Sequence, residues 1–248
     1  MTLEQFFAEN REVAIAFSGG VDSAYLLYAA TRYAARVKAY YVSTAFQPEF
    51  ELADARRLAD ELGADMLVLH VDVLSNSAVT ANPSDRCYHC KNTLFRQILR
   101  AAENDGFPVL LDGTNASDDA GDRPGMRALR ELSVRSPLRE CGLTKAEIRR
   151  LSRGAGLFTW DKPAYACLAT RIRTGEEITL QKLKQTEKAE GFLFGLGFRD
   201  FRVRMVDNTA KLELREADLP LLLENREKIV TELRKDYDSV LLNLEVRK

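Results

Sequence analysis

The chain has 248 residues, 46% of them hydrophobic and 29% charged, with 36 basic against 37 acidic side chains and a formal net charge of −1. Such an apolar content excludes a disordered chain, and the balanced charge removes the broad attraction by which a protein grips nucleic acid or an anionic membrane. The longest apolar runs, such as 66–69 and 219–223, are far too short to span a bilayer, and the N-terminus lacks a basic segment and cleavage site, so a cytoplasmic protein acting on small molecules is expected.

In chain order, residues 13–17 read as a buried strand, 24–35 as a helix, 37–42 as a strand and 49–62 as a helix closed by Gly63. Residues 66–71 continue as a strand, followed by a polar stretch, a helix over 92–103 and a strand over 109–111. Continuous apolar strands alternating with amphipathic helices predict an α/β fold, a doubly wound parallel sheet covered on both faces. Its ligands would bind beyond the carboxyl ends of the strands, after Phe17, Val42, Val71 and Leu111.

A helix over 144–154 opens with Thr144 and Glu147 in capping-box spacing, and 160–175 reads as a loop. The pattern then changes to a helix over 179–196, a hairpin of 201–206 and 211–215 around Asp207-Asn208, one helix over 219–233 and a closing strand over 240–246. These make a small α+β C-terminal domain, so the expected domains are 1–175 and 176–248.

The strongest chemical signal is the first strand running into Ser18-Gly19-Gly20-Val21-Asp22-Ser23 and on into a helix. Two glycines let the backbone approach an anion, the amides at a helix start point at it, and Ser18 and Ser23 add hydroxyl donors. Asp22 either caps the helix or helps hold a Mg2+ ion that accompanies the phosphates. The loop is neither GxxxxGK[ST] nor GxGxxG and has no lysine for β/γ-phosphates, which weakens a kinase or dehydrogenase reading. The plainer alternative is a glycine turn with a Ser/Asp cap.

After the strand at 109–111 comes Asp112-Gly113-Thr114-Asn115-Ala116-Ser117-Asp118, at the same end of the sheet. Gly113 and Asn115 suit contact with nucleotide phosphates or ribose, Asp118 and Asp119 are candidate magnesium contacts, and an Asx-capped turn is the competing reading. Arg127, Ser136 and Pro137 follow downstream. Four cysteines are present. Cys87 and Cys90 form a CxxC read as lying just before a helix: half a zinc site, a redox pair or two buried thiols. Cys167 lies in a loop with Lys162, Arg171 and Arg173, whose charge favours a thiolate and an anionic substrate. Cys87, Cys90 and Cys167 together are a candidate three-thiolate iron–sulfur site of the [4Fe–4S] kind, with one iron left open to sulfur. Arg202 and Arg204 share one face of a strand, opposite Glu213 and Arg215. They are read either as cross-strand ion pairs or as a fork for a substrate phosphate, with Glu190 or Glu213 helping to bind a divalent metal.

SGGVDS after the first strand resembles the loop of the PP-loop ATP pyrophosphatases, whose fold is adenine nucleotide alpha hydrolase-like and which adenylate an oxygen of the substrate. Taken with RCYHCK, DGTN, KPAYACLATR and the small domain, essentially the whole chain resembles the LarE family of sacrificial sulfur transferases. The resemblance implies that MgATP adenylates a carboxylate of pyridinium-3,5-biscarboxylic acid mononucleotide and that Cys167, aided by Arg171, displaces AMP. Elimination then leaves sulfur on the product and dehydroalanine on the protein, in assembly of the nickel-pincer cofactor of lactate racemase. It also implies a homo-oligomer working between an upstream carboxylase and a downstream nickel-insertion protein. A single cysteine in the KPAYACLATR loop favours the sacrificial route over a cluster. Competing functions are a PP-loop tRNA or nucleobase thiolase, an amide-forming adenylating ligase that would not need Cys167, and a non-catalytic nucleotide sensor.

Overall fold

A computed structural model describes residues 1–118 and 124–247. The chain opens with α1 (Leu3–Glu9), β1 (Glu12–Ala16), α2 (Val21–Tyr33), β2 (Arg36–Ser43), α3 (Glu49–Leu62) and β3 (Asp65–His70). There follow the short α4 (Ser77–Thr80), α5 (Arg86–Asn104), β4 (Val109–Leu111), α6 (Pro124–Glu131), α7 (Pro137–Glu140) and α8 (Lys145–Gly154). The remainder is α9 (Leu180–Gly195), β5 (Arg202–Val206), β6 (Thr209–Glu213), α10 (Leu219–Glu224), α11 (Arg226–Leu233) and β7 (Ser239–Leu242).

Two compact units emerge, one of residues 1–73 and 85–164, the other of 74–84 and 165–248. In the first, four parallel strands lie in the order β3-β2-β1-β4. Side chains alternate across the pleat: Val13, Ile15, Ala39 and Tyr41 pack with Leu26, Leu27, Leu58 and Ile148 of α2, α3 and α8, while Ala14, Tyr40, Val42 and Leu110 pack with Ile98 and Ala102 of α5. Both faces are thus buried, as the unbroken apolar strands require. Beyond β4 the chain is extended by a parallel bridge between Leu111 and Arg135.

In the second unit β5 and β6 form the antiparallel hairpin, β7 adds parallel to β6, and Leu193, Phe198, Phe201, Val203, Leu212 and Ile229 fill the core. The unit also takes in 74–84: Asn82 Nδ2 donates to the Arg173 carbonyl at 2.8 Å, and the amides of Gly175 and Ile178 donate to Asn82 and Thr80 at 2.8 Å each. The division at 164/165, earlier than the expected 175/176, has a physical reason. Arg171 is buried against Glu190 of α9 and Ile172 bridges to Met205 of β5, so the segment from Tyr165 is committed to the second core.

Three elements differ from expectation. The expected 92–103 helix begins at Arg86, which places Cys87 and Cys90 inside α5. The expected 219–233 helix breaks at Asn225, whose backbone (φ −103°, ψ 9°) leaves the helical region while its Nδ2 donates to the Leu221 carbonyl at 3.0 Å. The last strand stops at Leu242. Among the described residues no helix is long and apolar enough to cross a membrane.

Candidate active site

The phosphate loop belongs to the first unit and is shaped by its own serines. Ser23 Oγ accepts from the Ser18 amide at 3.2 Å, donates to the Gly20 carbonyl at 3.2 Å and lies 3.0 Å from Ser18 Oγ. Gly19 has φ +71°, and a Cβ there would meet the Ala55 Cβ at 3.2 Å. Gly20 is the N-cap of α2 and uses no side chain, so the first amides of a thirteen-residue helix are left to an incoming anion.

Asp22 does not cap this helix. Its Oδ2 accepts from Lys145 Nζ at 2.6 Å, at the start of α8, while its Oδ1 is buried without a hydrogen-bond partner. Burial pushes its carboxyl above the usual carboxylate range, with Lys145 pulling the other way and Asp118 adding to the rise. A buried, orphaned carboxylate oxygen at a phosphate loop suits Mg2+, which is ordinarily held by one or two carboxylates and the phosphates it travels with.

The segment after β4 is pressed onto this loop. A Cβ on Gly113 would fall 2.9 Å from the Ser23 amide nitrogen and 3.2 Å from its Cα, so only glycine permits the approach. Asp112, Thr114 and Asn115 are buried behind it. Asp112 Oδ1 accepts from Ser136 Oγ at 2.6 Å, which ties in the later segment. The Asn115 side-chain oxygen accepts from the Ser117 amide at 2.8 Å and its amide donates to Asp118 at 2.9 Å, so the Asx turn is present. Asp119 lies outside the described residues. Arg127, on α6, stacks 3.9 Å from the Tyr88 ring of α5 and pairs with Glu131.

Two of the expected cations have partners within their own unit. Lys162 belongs to the first unit and pairs with Asp54 at 2.7 Å, so its charge is already matched. Arg171 is 1% exposed and forms a bidentate pair with Glu190, Nε to Oε1 at 2.8 Å and Nη2 to Oε2 at 3.0 Å. Its third nitrogen, Nη1, donates to the Ala166 carbonyl at 2.8 Å, to Thr170 Oγ1 at 2.9 Å and to the Cys167 carbonyl at 3.4 Å. Burial opposes its charge, yet the bonds and charge of Glu190, then Tyr165 and Cys167, hold it more firmly protonated than usual. Arg171 therefore shapes the turn that carries Cys167 as well as supplying charge.

Besides Arg171, Glu190 accepts from the Val203 amide at 2.9 Å and from the Tyr165 hydroxyl. Glu213 is likewise paired, with Arg204 at 2.9 Å and Arg247 at 3.8 Å, so both carboxylates serve arginines. Arg204 also donates to the Thr170 carbonyl. Arg202 is 6% exposed, with its guanidinium 5.4 Å from the Tyr165 ring centre. Burial, then Arg171 and Arg247, make its charge less favourable than usual, with Glu190 and Asp200 opposing, so an anion arriving there would relieve it.

Cys87 and Cys90, three residues apart on one face of α5, belong to the first unit, and Arg86 Nη2 lies 3.8 Å from Cys87 Sγ. Cys167 belongs to the second. Among the described residues no three His, Cys, Asp or Glu side chains gather as a metal-holding group. The sequence reading passed over Lys145, although the capping box at Thr144 marks its helix start, and gave Asp112 no role.

Residues 4–118 match the asparagine synthase family. The chain is 33% identical over 218 residues to the pyridinium-3,5-bisthiocarboxylic acid mononucleotide synthase of Lactiplantibacillus plantarum, covering 87% of this chain and 79% of that protein. It is 40% identical over 215 residues to an uncharacterized protein of Synechocystis, covering 86% and 80%. With an uncharacterized protein of Methanocaldococcus jannaschii it shares 30% identity over 240 residues, 96% and 91% of the two chains.

Proposed function

Since the chain belongs to the LarE family of ATP-using sulfur transferases, we propose that it converts one carboxylate of pyridinium-3,5-biscarboxylic acid mononucleotide into a thiocarboxylate with the sulfur of its own Cys167. The observation that carries this reading is the seat of Cys167, at the head of a turn clamped by the buried Arg171–Glu190 pair with a guanidinium beside it.

The steps divide between the two sets of residues. The loop 18–23, with Gly113 against it and Asn115 behind, cradles ATP so that a substrate carboxylate oxygen attacks the α-phosphorus and pyrophosphate leaves. Mg2+, when bound with the phosphates, would meet Asp22 Oδ1 and neutralise charge on the departing pyrophosphate. Cys167 then attacks the acyl carbon, expels AMP and forms a thioester. Loss of the Cys167 Cα proton with cleavage of Cβ–S releases the thiocarboxylate and leaves dehydroalanine. Arg202 and Arg204 are the cationic side chains that would hold the substrate phosphate. The single cysteine in the loop 162–171 supports this sacrificial route over one through an iron–sulfur cluster.

The reading places the protein in the cytoplasm, after a carboxylase and before a nickel-insertion protein in nickel-pincer assembly. Exposed Leu241 and Leu244 of the second unit accord with a homo-oligomer. The test is intact mass with peptide mapping before and after incubation with MgATP and the dicarboxylate nucleotide. The expected result is loss of one hydrogen sulfide at Cys167, absent in Cys167→Ala. Sulfurated product from a protein whose Cys167 keeps its mass would overturn it, as would full turnover by the alanine variant.

A further inference from the structure

The turn after Cys167 holds more donors on one carbonyl than a turn requires. Cys167 precedes a single 3-10 turn, Leu168–Arg171, and that turn needs only the Thr170 amide on the Cys167 carbonyl, which is present at 2.9 Å. Thr170 Oγ1 donates to the same oxygen at 2.8 Å, and Arg171 Nη1 points at it from 3.4 Å. Arg171 Nη1 also donates to Thr170 Oγ1 at 2.9 Å, so a guanidinium polarises the hydroxyl that in turn polarises the carbonyl. The guanidinium is held by Glu190 and stacked 4.7 Å from the Tyr165 ring, and Arg204 grips a carbonyl three residues further along the turn, that of Thr170.

That carbonyl is adjacent to the Cα whose proton must leave in an elimination. We propose that the Thr170 amide, the Thr170 hydroxyl and the Arg171 guanidinium form an oxyanion hole for the enolate of Cys167 itself, and that this acidifies its Cα–H for β-elimination. The inference rests on the sulfur-transfer route given under Proposed function and adds a catalytic role for Thr170. In the step, the Cα–H proton passes to water and its electron pair becomes Cα=Cβ. The Cβ–S bond breaks with its pair on sulfur, which leaves as thiocarboxylate. Nothing is oxidised or reduced. As the proton departs, negative charge grows on the Cys167 carbonyl oxygen, where two donors at 2.8 and 2.9 Å and a third, charged one already converge. Preorganised donors of this kind need no rearrangement when the charge appears.

The decisive experiment separates the elimination from the chemistry that precedes it. In the full chain, cysteine thiols are S-cyanylated, which gives a thiocyanate leaving group without ATP or substrate. Loss of thiocyanic acid at Cys167 and at the exposed Cys87 is then followed by peptide mapping. The expected result is faster elimination at Cys167 in the folded wild type, slowed on the order of 10²-fold by Thr170→Val, the scale of removing one oxyanion-hole donor. Thr170→Ser, which keeps the hydroxyl, should restore it, and denaturant should erase the advantage over Cys87. Equal elimination in wild type and Thr170→Val overturns the proposal, as does failure of serine to rescue. A second arm uses MgATP and the dicarboxylate nucleotide, in which Thr170→Val should accumulate the protein thioester as a mass gain. Dehydroalanine at the wild-type rate from that variant also overturns the proposal. Absence of any adduct or hydrogen sulfide loss in the wild type, with the cyanylation contrast intact, removes the sulfur-transfer reading and leaves the acidified cysteine standing.

Discussion

Gly113 shows how much one missing side chain decides. A methyl group there would stand 2.9 Å from the backbone nitrogen of Ser23, which cannot swing aside as a side chain would. Gly113→Ala is expected to push the second segment off the phosphate loop, lowering stability by about 1–3 kcal/mol and raising the KM for ATP, read by calorimetry and by pyrophosphate release. Asp22 is the opposite case, a residue that strains the fold for the sake of the site. Because burial raises its pKa, its protonated form is the one favoured by folding. Whatever stability it contributes is complete below the ordinary carboxylate range near pH 3.9 and is lost as pH rises through the raised value. Asp22→Asn should therefore melt no lower than wild type at pH 7 without nucleotide, the difference shrinking in acid, while the extra stability conferred by MgATP disappears. A lower melting temperature for apo Asp22→Asn at pH 7 would contradict this account. Both residues were visible in the sequence as members of motifs. Their working partners, the Ser23 backbone and Lys145, were not, because neither contact is local.

At the scale of elements, α8 connects the helix caps to the site. Thr144 and Glu147 form a complete capping box, and the residue between cap and box, Lys145, reaches Asp22. Thr144→Ala should destabilise by about 1 kcal/mol in chemical denaturation. Glu147 is held below the usual carboxylate range by the Thr144 side chain and backbone, so its contribution is present above about pH 4.3 and is lost as pH falls through the depressed value. The stability difference between wild type and Glu147→Gln, followed by chemical denaturation from pH 7 into acid, should shrink as pH falls. This helix was legible because a capping box is written in four adjacent residues. The start of α5 was not, since residues 86–91 are polar or small and give no apolar stripe, and their helical state owes something to Tyr88 stacking on Arg127 and bonding Glu131. Asn225 carried a break signal inside an apolar periodicity that continued across it.

At the scale of the whole molecule, two cores are filled by separate sets of residues, Val13, Leu26 and Ile148 among the first and Phe198, Phe201 and Leu212 among the second. The single tryptophan, Trp160, lies in the first unit. Phe198→Ala, at a fully buried position, should remove about 3–5 kcal/mol from the second core. The urea midpoint seen by far-ultraviolet circular dichroism is expected to fall while the tryptophan-fluorescence midpoint stays. A common shift of both would show the cores to unfold as one. The division at 164/165 was not legible in local spacing, because it depends on Arg171 and on the capture of 74–84, whose Asn82 bonds residues ninety positions away.

The amino-acid sequence by itself determined the alternation of strand and helix, the phosphate loop, the cysteine that carries sulfur in the proposed reaction, and the family. All of these reside in residues a few positions apart, where spacing alone fixes the face, the turn or the cap. Only the tertiary structure decided that Glu190 and Glu213 serve arginines, that Lys162 is spent on Asp54, that Asp22 leaves one oxygen unmatched, and that three donors meet on the Cys167 carbonyl. Charges and hydrogen bonds are satisfied by whichever partner the fold brings within about 3 Å, and that partner can lie anywhere in the chain.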